Sequence, residues 1–194
     1  MTLDPSELKK TFDGREILIG ISGGIAVYKV CTVVSRLAQA GAGVTVLMTK
    51  AATHFVQPLT FQALSGRPVY TSPWQHSEAH DPQHIAIADR CDVALVAPCT
   101  MDMMGKLVIG RTDDVVSLAL SAIDRSKTPV LLAPAMNDAM WNQASTQRNA
   151  AQLEQDNFGL VGPGNGWQAC RHVGTGRMVE PEDLVEALKR AISG

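Results

Sequence analysis

Charge is in short supply along this chain. Charged residues make up 19% of 194, and 17 Lys and Arg stand against 19 Asp and Glu for a net charge of −2. No basic block or stripe breaks that balance, so the footprint of a nucleic-acid binder is missing. Aromatic residues are also few, at 5%, within an ordinary hydrophobic share of 45%. No apolar run reaches the roughly 18–20 residues of a membrane-spanning helix. The opening stretch MTLDPSELKKTF has no apolar centre of the kind a secretory signal needs. The four cysteines, Cys31, Cys91, Cys99 and Cys170, show no CxxC spacing, which argues against a zinc site or a disulfide framework. A cytoplasmic, reducing setting and no bound metal are therefore expected.

What is present is enough for one domain with its own core, taken as residues 1–194. Four continuous apolar runs read as buried strands: REILIGI (15–21), GVTVLMT (43–49), DVALVAPCT (92–100) and PVLLAPA (129–135). Between them, IAVYKVCTVVSRLAQAG repeats apolar residues at helical spacing, from Val27 through Val34 to Ala38, with Gly41 as its stop. TFQALSG, HIAIADRC, MMGKLVIG and DDVVSLALSAID read as further helical stretches. The tail PEDLVEALKRAI is an amphipathic helix with Pro181 at its start and acids in its first turn. Buried strands alternating with helices predict an α/β fold: a Rossmann-like, flavodoxin-type parallel sheet with helices on both faces. The segment 158–178 carries six glycines and is read as a long loop, too glycine-rich for the interior of an element.

Open α/β sheets bind ligands beyond the carboxyl ends of their strands. The unusual stretches of this chain gather there: Ser22-Gly23-Gly24, Met48-Thr49, Pro98-Cys99-Thr100 and Pro134-Ala135-Met136-Asn137. GISGGIA places two glycines and a hydroxyl before the first long helix, where backbone N–H groups suit a phosphate. It lacks the GxGxxG spacing, and Met48-Thr49 stands where a ribose-binding acid would follow the second strand. A mononucleotide is favoured over NAD, and a plain tight turn is the simpler alternative. Thr49, Thr100 and Ser117, each taken alone, read as helix caps. His76, His80 and His84 are four apart, but Pro82 interrupts any continuous helix, which disfavours a metal site. Asn137 offers amide donors and an acceptor at a strand end, suited to gripping a carboxylate or, more simply, to capping a helix from Asp138. Cys170 is the cysteine whose surroundings look exposed; the others read as small core residues.

Taken together, these motifs resemble the flavin-containing cysteine decarboxylases. PAMNDAMW matches that family's PxMNxxMW motif, and ISGGIAVYK its first FMN loop. MTKAATHFVQPLTFQALSG, HIAIADRCDVALVAPCT, DDVVS and ACRHVGTGRM are similar to further blocks, so the resemblance runs from about residue 14 to 181. It implies FMN as cofactor, with contacts from Ser22, Gly23, Gly24, Ile25, Thr49, Phe55, Thr100 and Ser117. It further implies His84, Asn137 and Cys170 as catalytic residues: His84 assisting proton removal from the thiol side, Asn137 holding the departing carboxylate, and Cys170 returning a proton from a flap at about 160–178. Met140 and Arg177 join Asn137 at the substrate.

The implied reaction oxidises the cysteine of 4'-phosphopantothenoylcysteine to a thioaldehyde, releases carbon dioxide and reduces the ene-thiol to 4'-phosphopantetheine, a step of coenzyme A biosynthesis. An electron-accepting cofactor is needed because a free cysteine carboxylate has nowhere to place its electrons. Family members are homo-oligomers, trimers or dodecamers built from trimers, so His84 is expected to serve a neighbouring flavin. Oxidative decarboxylation of a C-terminal peptide cysteine is the alternative; Cys170 favours the first reading, and Arg171-His172, where the family usually has Gly and an acid, keeps the second open. Asp102 is a second departure, at a position often occupied by Asn. A flavin prenyltransferase or a non-catalytic flavin-binding subunit would not need His84, Asn137 and Cys170 together. Bacterial members are often fused to a C-terminal synthetase domain, so an end at Gly194 leads to the expectation of a standalone enzyme or a shortened chain.

Overall fold

The computed structural model describes residues 4–74 and 83–193. Helix α1 (Pro5–Phe12) precedes β1 (Glu16–Ile21), α2 (Val27–Gln39) and β2 (Gly43–Met48). Then come α3 (Pro58–Ser65), the two-residue β3 (Val69–Tyr70), α4 (Gln83–Arg90), β4 (Val93–Cys99), α5 (Met101–Val108), α6 (Val115–Ser121) and β5 (Val130–Pro134). The chain ends with α7 (Asp138–Trp141), α8 (Ala144–Gln155), β6 (Phe158–Leu160), β7 (Gly164–Trp167), β8 (Val173–Arg177) and α9 (Pro181–Ser193).

Strands β1 to β6 form one parallel sheet in the order β3-β2-β1-β4-β5-β6. The chain winds outward from β1 in one direction, then restarts at β4 and winds outward in the other. That reversal opens a crevice at the carboxyl ends of β1 and β4, where doubly wound sheets take their ligands. The two-residue period of β1 divides its side chains between two cores. Ile17, Ile19 and Ile21 point into a layer with Val30, Val34 and Leu37 of α2, Phe61 of α3 and Leu184 and Leu188 of α9. Leu18 joins the opposite layer with Met103 and Met104 of α5, Val116 and Leu120 of α6 and Leu153 of α8. Both faces are therefore covered, as the continuous apolar strands predict.

The reading of 158–178 as a structureless loop is corrected. Phe158–Leu160 pairs with β5 as the edge of the main sheet, and β7 and β8 form an antiparallel hairpin. Glycine is used here for close approach, which composition alone reads as looseness. A Cβ on Gly176, whose φ is +124°, would fall 2.6 Å from the Met136 carbonyl oxygen. The same Gly176 accepts a hydrogen bond from the Met136 amide at 2.9 Å, which straps the hairpin to the end of β5. Helix α8 was also not anticipated. It is polar along most of its length and buries only Thr146, Ala150 and Leu153. No helix among the described residues is long and apolar enough to cross a membrane.

Candidate active site

The carboxyl ends of β1, β2, β4 and β5 and the β7–β8 hairpin enclose a cleft of about 1060 Å³. Its first wall is built by two hydroxyls that lock the strand ends together. Ser22 Oγ donates to the Pro98 carbonyl at 2.7 Å and accepts from the Thr100 amide at 3.0 Å. Thr100 also begins α5, its Oγ1 accepting from the Met103 amide at 3.4 Å. Thr49 closes the turn after β2 by accepting from the Ala52 amide at 3.2 Å.

Between these anchors the chain passes through Gly23 and Gly24 into α2. A Cβ on Gly23 would lie 2.5 Å from that of Ala51, so the loop owes its path to glycine. Helix α2 begins at Ala26 with no side-chain cap and no acid in its first turn. Among the described residues, the amides of Gly23, Gly24, Ile25 and Ala26 donate to no protein acceptor. Four unmet donors at the positive end of a 13-residue helix, facing a cleft, form a seat for a phosphate. The cleft therefore fits a phosphate-bearing mononucleotide, on the strength of the donors that α2 leaves unpaired.

The opposite wall carries the acid–base and amide groups. Asn137 Oδ1 accepts from the Met140 amide at 2.8 Å, capping α7 as expected of an Asn at a helix start. The cap fixes which end of the carboxamide is free. Nδ2 has no protein partner among the described residues, in a side chain that lines the cleft. Cys170 stands at the turn of the hairpin, exposed, its thiol donating to Gln168 Oε1 at 3.3 Å. Gln168 is buried although it sits on an otherwise open hairpin. Its Oε1 also accepts from the Asp138 amide at 3.2 Å, and its Nε2 donates to the Thr175 carbonyl at 3.1 Å. One side chain thus ties both arms of the hairpin to the first residue of α7.

Cations at the cleft are mostly spent on carboxylates. Lys106 Nζ lies 2.9 Å from Asp114, 3.0 Å from Asp113 and 3.5 Å from Asp102. Burial works against its charge, but the hydrogen bonds it donates to Asp114 and Asp113 outweigh that and raise its pKa. Buried Lys29 donates to the Met178 carbonyl at 3.1 Å and to Glu180 at 3.0 Å, and Arg177 pairs with Glu180 as well.

The cleft brings together Ser22, Gly23, Gly24, Ile25, Thr49 and Thr100 on one side. Asn137, Met140, Cys170 and Arg177 face them from the other. Three expected residues lie outside its wall. His84 is half-buried in the first turn of α4, and Phe55 is exposed after the turn that follows β2. Ser117 is buried inside a capping box, its amide donating to Asp114 Oδ1 at 2.9 Å. The helix cap itself is Asp114; Ser117, expected as a cap, sits three residues further in and returns a bond, its Oγ accepting from the Asp114 amide at 3.4 Å. His76 and His80 lie outside the described residues, among which no group of metal-binding side chains occurs. Asp138, Gln168 and Lys106 were missed from sequence. For Lys106 a signal existed, a basic residue four positions from Asp102 and shortly before the Asp113-Asp114 pair. Gln168 gives none, because its burial depends on the hairpin's docking.

Known proteins share this architecture and sequence. The family model described as Flavoprotein matches residues 5–193. The coenzyme A biosynthesis bifunctional protein CoaBC of Bacillus subtilis (strain 168) is 43% identical over 178 residues, covering 92% of this chain and 43% of that protein. The protein of the same name from Escherichia coli (strain K12) is 39% identical over 173 residues, 89% of this chain and 42% of that one. The chain thus spans less than half the length of these curated relatives. Among solved structures, a cysteine-to-serine mutant of PPC decarboxylase complexed with pantothenoylaminoethenethiol superposes with a TM-score of 0.84 at 26% identity, over 93% of this chain and all of that one. The FMN-dependent cysteine decarboxylase SpaF gives 0.78 at 26% identity, over 92% of this chain and 95% of that one. With the family match running nearly end to end over a doubly wound sheet and a phosphate-ready cleft, the chain belongs to the flavoprotein family.

Proposed function

We propose that this chain is an FMN-dependent phosphopantothenoylcysteine decarboxylase, converting 4'-phosphopantothenoylcysteine to 4'-phosphopantetheine in coenzyme A biosynthesis. The observation that carries the reading is the orientation of Asn137. With Oδ1 committed to the Met140 amide, the carboxamide presents only N–H to the cleft that Cys170 also lines. A neutral donor suits the carboxylate that must leave: it orients the charge without holding it as a full cation would.

Ser22, Gly23, Gly24, Ile25, Thr49 and Thr100 would hold the cofactor, and the unpaired amides before α2 would receive its phosphate. Ser117 contributes by fixing Asp114, whose residue lines the cleft. Flavin held there would supply a two-electron acceptor and donor for the cysteine chemistry. Asn137, Met140 and Arg177 position the substrate, and Cys170 delivers a proton to the ene-thiol left after carbon dioxide departs. The hairpin and its approach, residues 160–178, serve as the substrate flap of a single catalytic domain. Support comes from the solved relative, whose name pairs a cysteine-to-serine change with a bound ene-thiol.

His84 lies outside the cleft of its own chain, which supports a role across a subunit boundary. The assembly is a homo-oligomer, a trimer or a dodecamer of trimers, in the cytoplasm. Exposed Ile25, Tyr28, Phe55 and Leu59 supply apolar surface for such contacts. The test is mass spectrometry of products from phosphopantothenoylcysteine and from a cysteine-ended peptide, each with FMN-loaded protein. Turnover of the peptide alone would replace the proposed substrate.

A further inference from the structure

Cys170 does not stand alone at the hairpin turn. Its Sγ lies 3.6 Å from His172 Nε2, and the same nitrogen lies 2.7 Å from Asp138 Oδ1. That short distance to a carboxylate requires a hydrogen on Nε2, because two lone pairs would repel. The thiol hydrogen is directed elsewhere, to Gln168 Oε1. The sulfur is therefore approached by a donor, the Nε2–H that it shares with Asp138. Asp138 opens α7 directly after Asn137, so the residue that caps the helix and the one that steers the histidine are neighbours in sequence.

We propose that His172, held by Asp138, is a positioning residue for Cys170: its Nε2–H stabilises the sulfur anion left when Cys170 gives up its proton. This inference rests on the decarboxylase reading above. The balance is simple. The Cys170 S–H bond breaks and its proton passes to the ene-thiol; the sulfur anion is held by the Nε2–H hydrogen bond and takes a proton back from solvent, so the imidazole keeps its own hydrogens throughout. Nothing is oxidised or reduced in this relay, and the reducing electrons belong to the reduced flavin of the proposed reaction. Among the described residues, the titratable groups facing His172 are Asp138 from α7 and Cys170 from its own turn. The hydrogen bond that His172 Nε2 donates to Asp138 outweighs desolvation and raises the histidine's pKa.

A merely structural His172–Asp138 pair would pin the hairpin and leave the thiol's chemistry alone. The test therefore reads the thiol directly. Cys170 alkylation by iodoacetamide, resolved from the other cysteines by peptide mass spectrometry, is followed in the FMN-loaded protein and in His172→Gln and Asp138→Asn. At the same near-neutral pH both variants should alkylate about tenfold more slowly than the parent. In turnover, His172→Gln should still release carbon dioxide but shift its product toward the oxidised ene-thiol, and added imidazole should shift it back. Parent-like alkylation together with a parent-like product ratio in His172→Gln overturns the proposal. Failure of the parent itself to release carbon dioxide indicts the decarboxylase reading, while the alkylation comparison still decides the role of His172. Asp138→Asn provides the second variant should His172→Gln disturb the hairpin.

Discussion

Asn137 Oδ1 accepts the Met140 amide at 2.8 Å, and this one bond decides which atom of the carboxamide meets a ligand. The helix cap and the proposed carboxylate clamp are one arrangement, since capping with the oxygen leaves the nitrogen free. The capping and ligand-binding alternatives for this residue therefore do not compete.

Asn137→Asp separates the two roles. An aspartate caps a helix as well as asparagine, so the melting temperature should stay within a few degrees of the parent. The amide donor, however, is replaced by a second negative charge facing the substrate carboxylate. Loss of a hydrogen bond to a charged group costs about 1.5–3 kcal/mol, so carbon dioxide release should fall by roughly 10- to 150-fold. Parent-like release from a folded variant would remove Asn137 from the clamp.

Gly23→Ala tests the cofactor seat. The new Cβ would stand 2.5 Å from that of Ala51 and 3.0 Å from the Ala51 carbonyl carbon, so the loop must shift. Overpacking of this kind costs about 1–3 kcal/mol, and it falls on the unpaired amides proposed to receive the phosphate. FMN affinity, measured by fluorescence titration of the stripped protein, should weaken by about tenfold or more. Unchanged affinity would place the phosphate elsewhere.

The hairpin's docking should depend on pH. Hydrogen bonding to Asp138 raises the His172 pKa from 6.5, and hydrogen bonding to His172 lowers that of Asp138 from 3.8. The histidine's contribution is complete below 6.5 and is lost as pH climbs through its raised value. The aspartate's is complete above 3.8 and is lost as pH falls through its lowered value. The pair is thus strongest between those two figures. Hydrogen exchange across residues 168–176, corrected for the intrinsic rate, should show less protection at about pH 9 than at about pH 6. His172→Gln should abolish that difference; a difference that survives the substitution would assign it to another group.

Much of this was written locally in the chain. The continuous apolar runs around Ile17–Ile21 and Val93–Cys99 announced buried parallel strands, and the odd residues at their ends announced the cleft. Capping by Thr100 and Asn137 followed from residue type and place alone. What stayed hidden depends on contacts distant in sequence. Gln168 and Asp138 are 30 residues apart and meet only because Gly176 lets β8 approach the Met136 backbone. The glycines that build this hairpin have no hydrophobic period, so composition reads them as a loop. Helix α8 was missed for a related reason: Thr146, Ala150 and Leu153 give its buried face too little apolar area to stand out.

Cys170→Ser addresses the central claim most directly. Mass spectrometry would follow the conversion of phosphopantothenoylcysteine by the FMN-loaded variant beside the parent. The parent should yield phosphopantetheine, whereas the variant should release carbon dioxide and stop at a product two hydrogens lighter, the ene-thiol. Full reduction to phosphopantetheine by the serine variant, or no carbon dioxide from the loaded parent, would contradict the account.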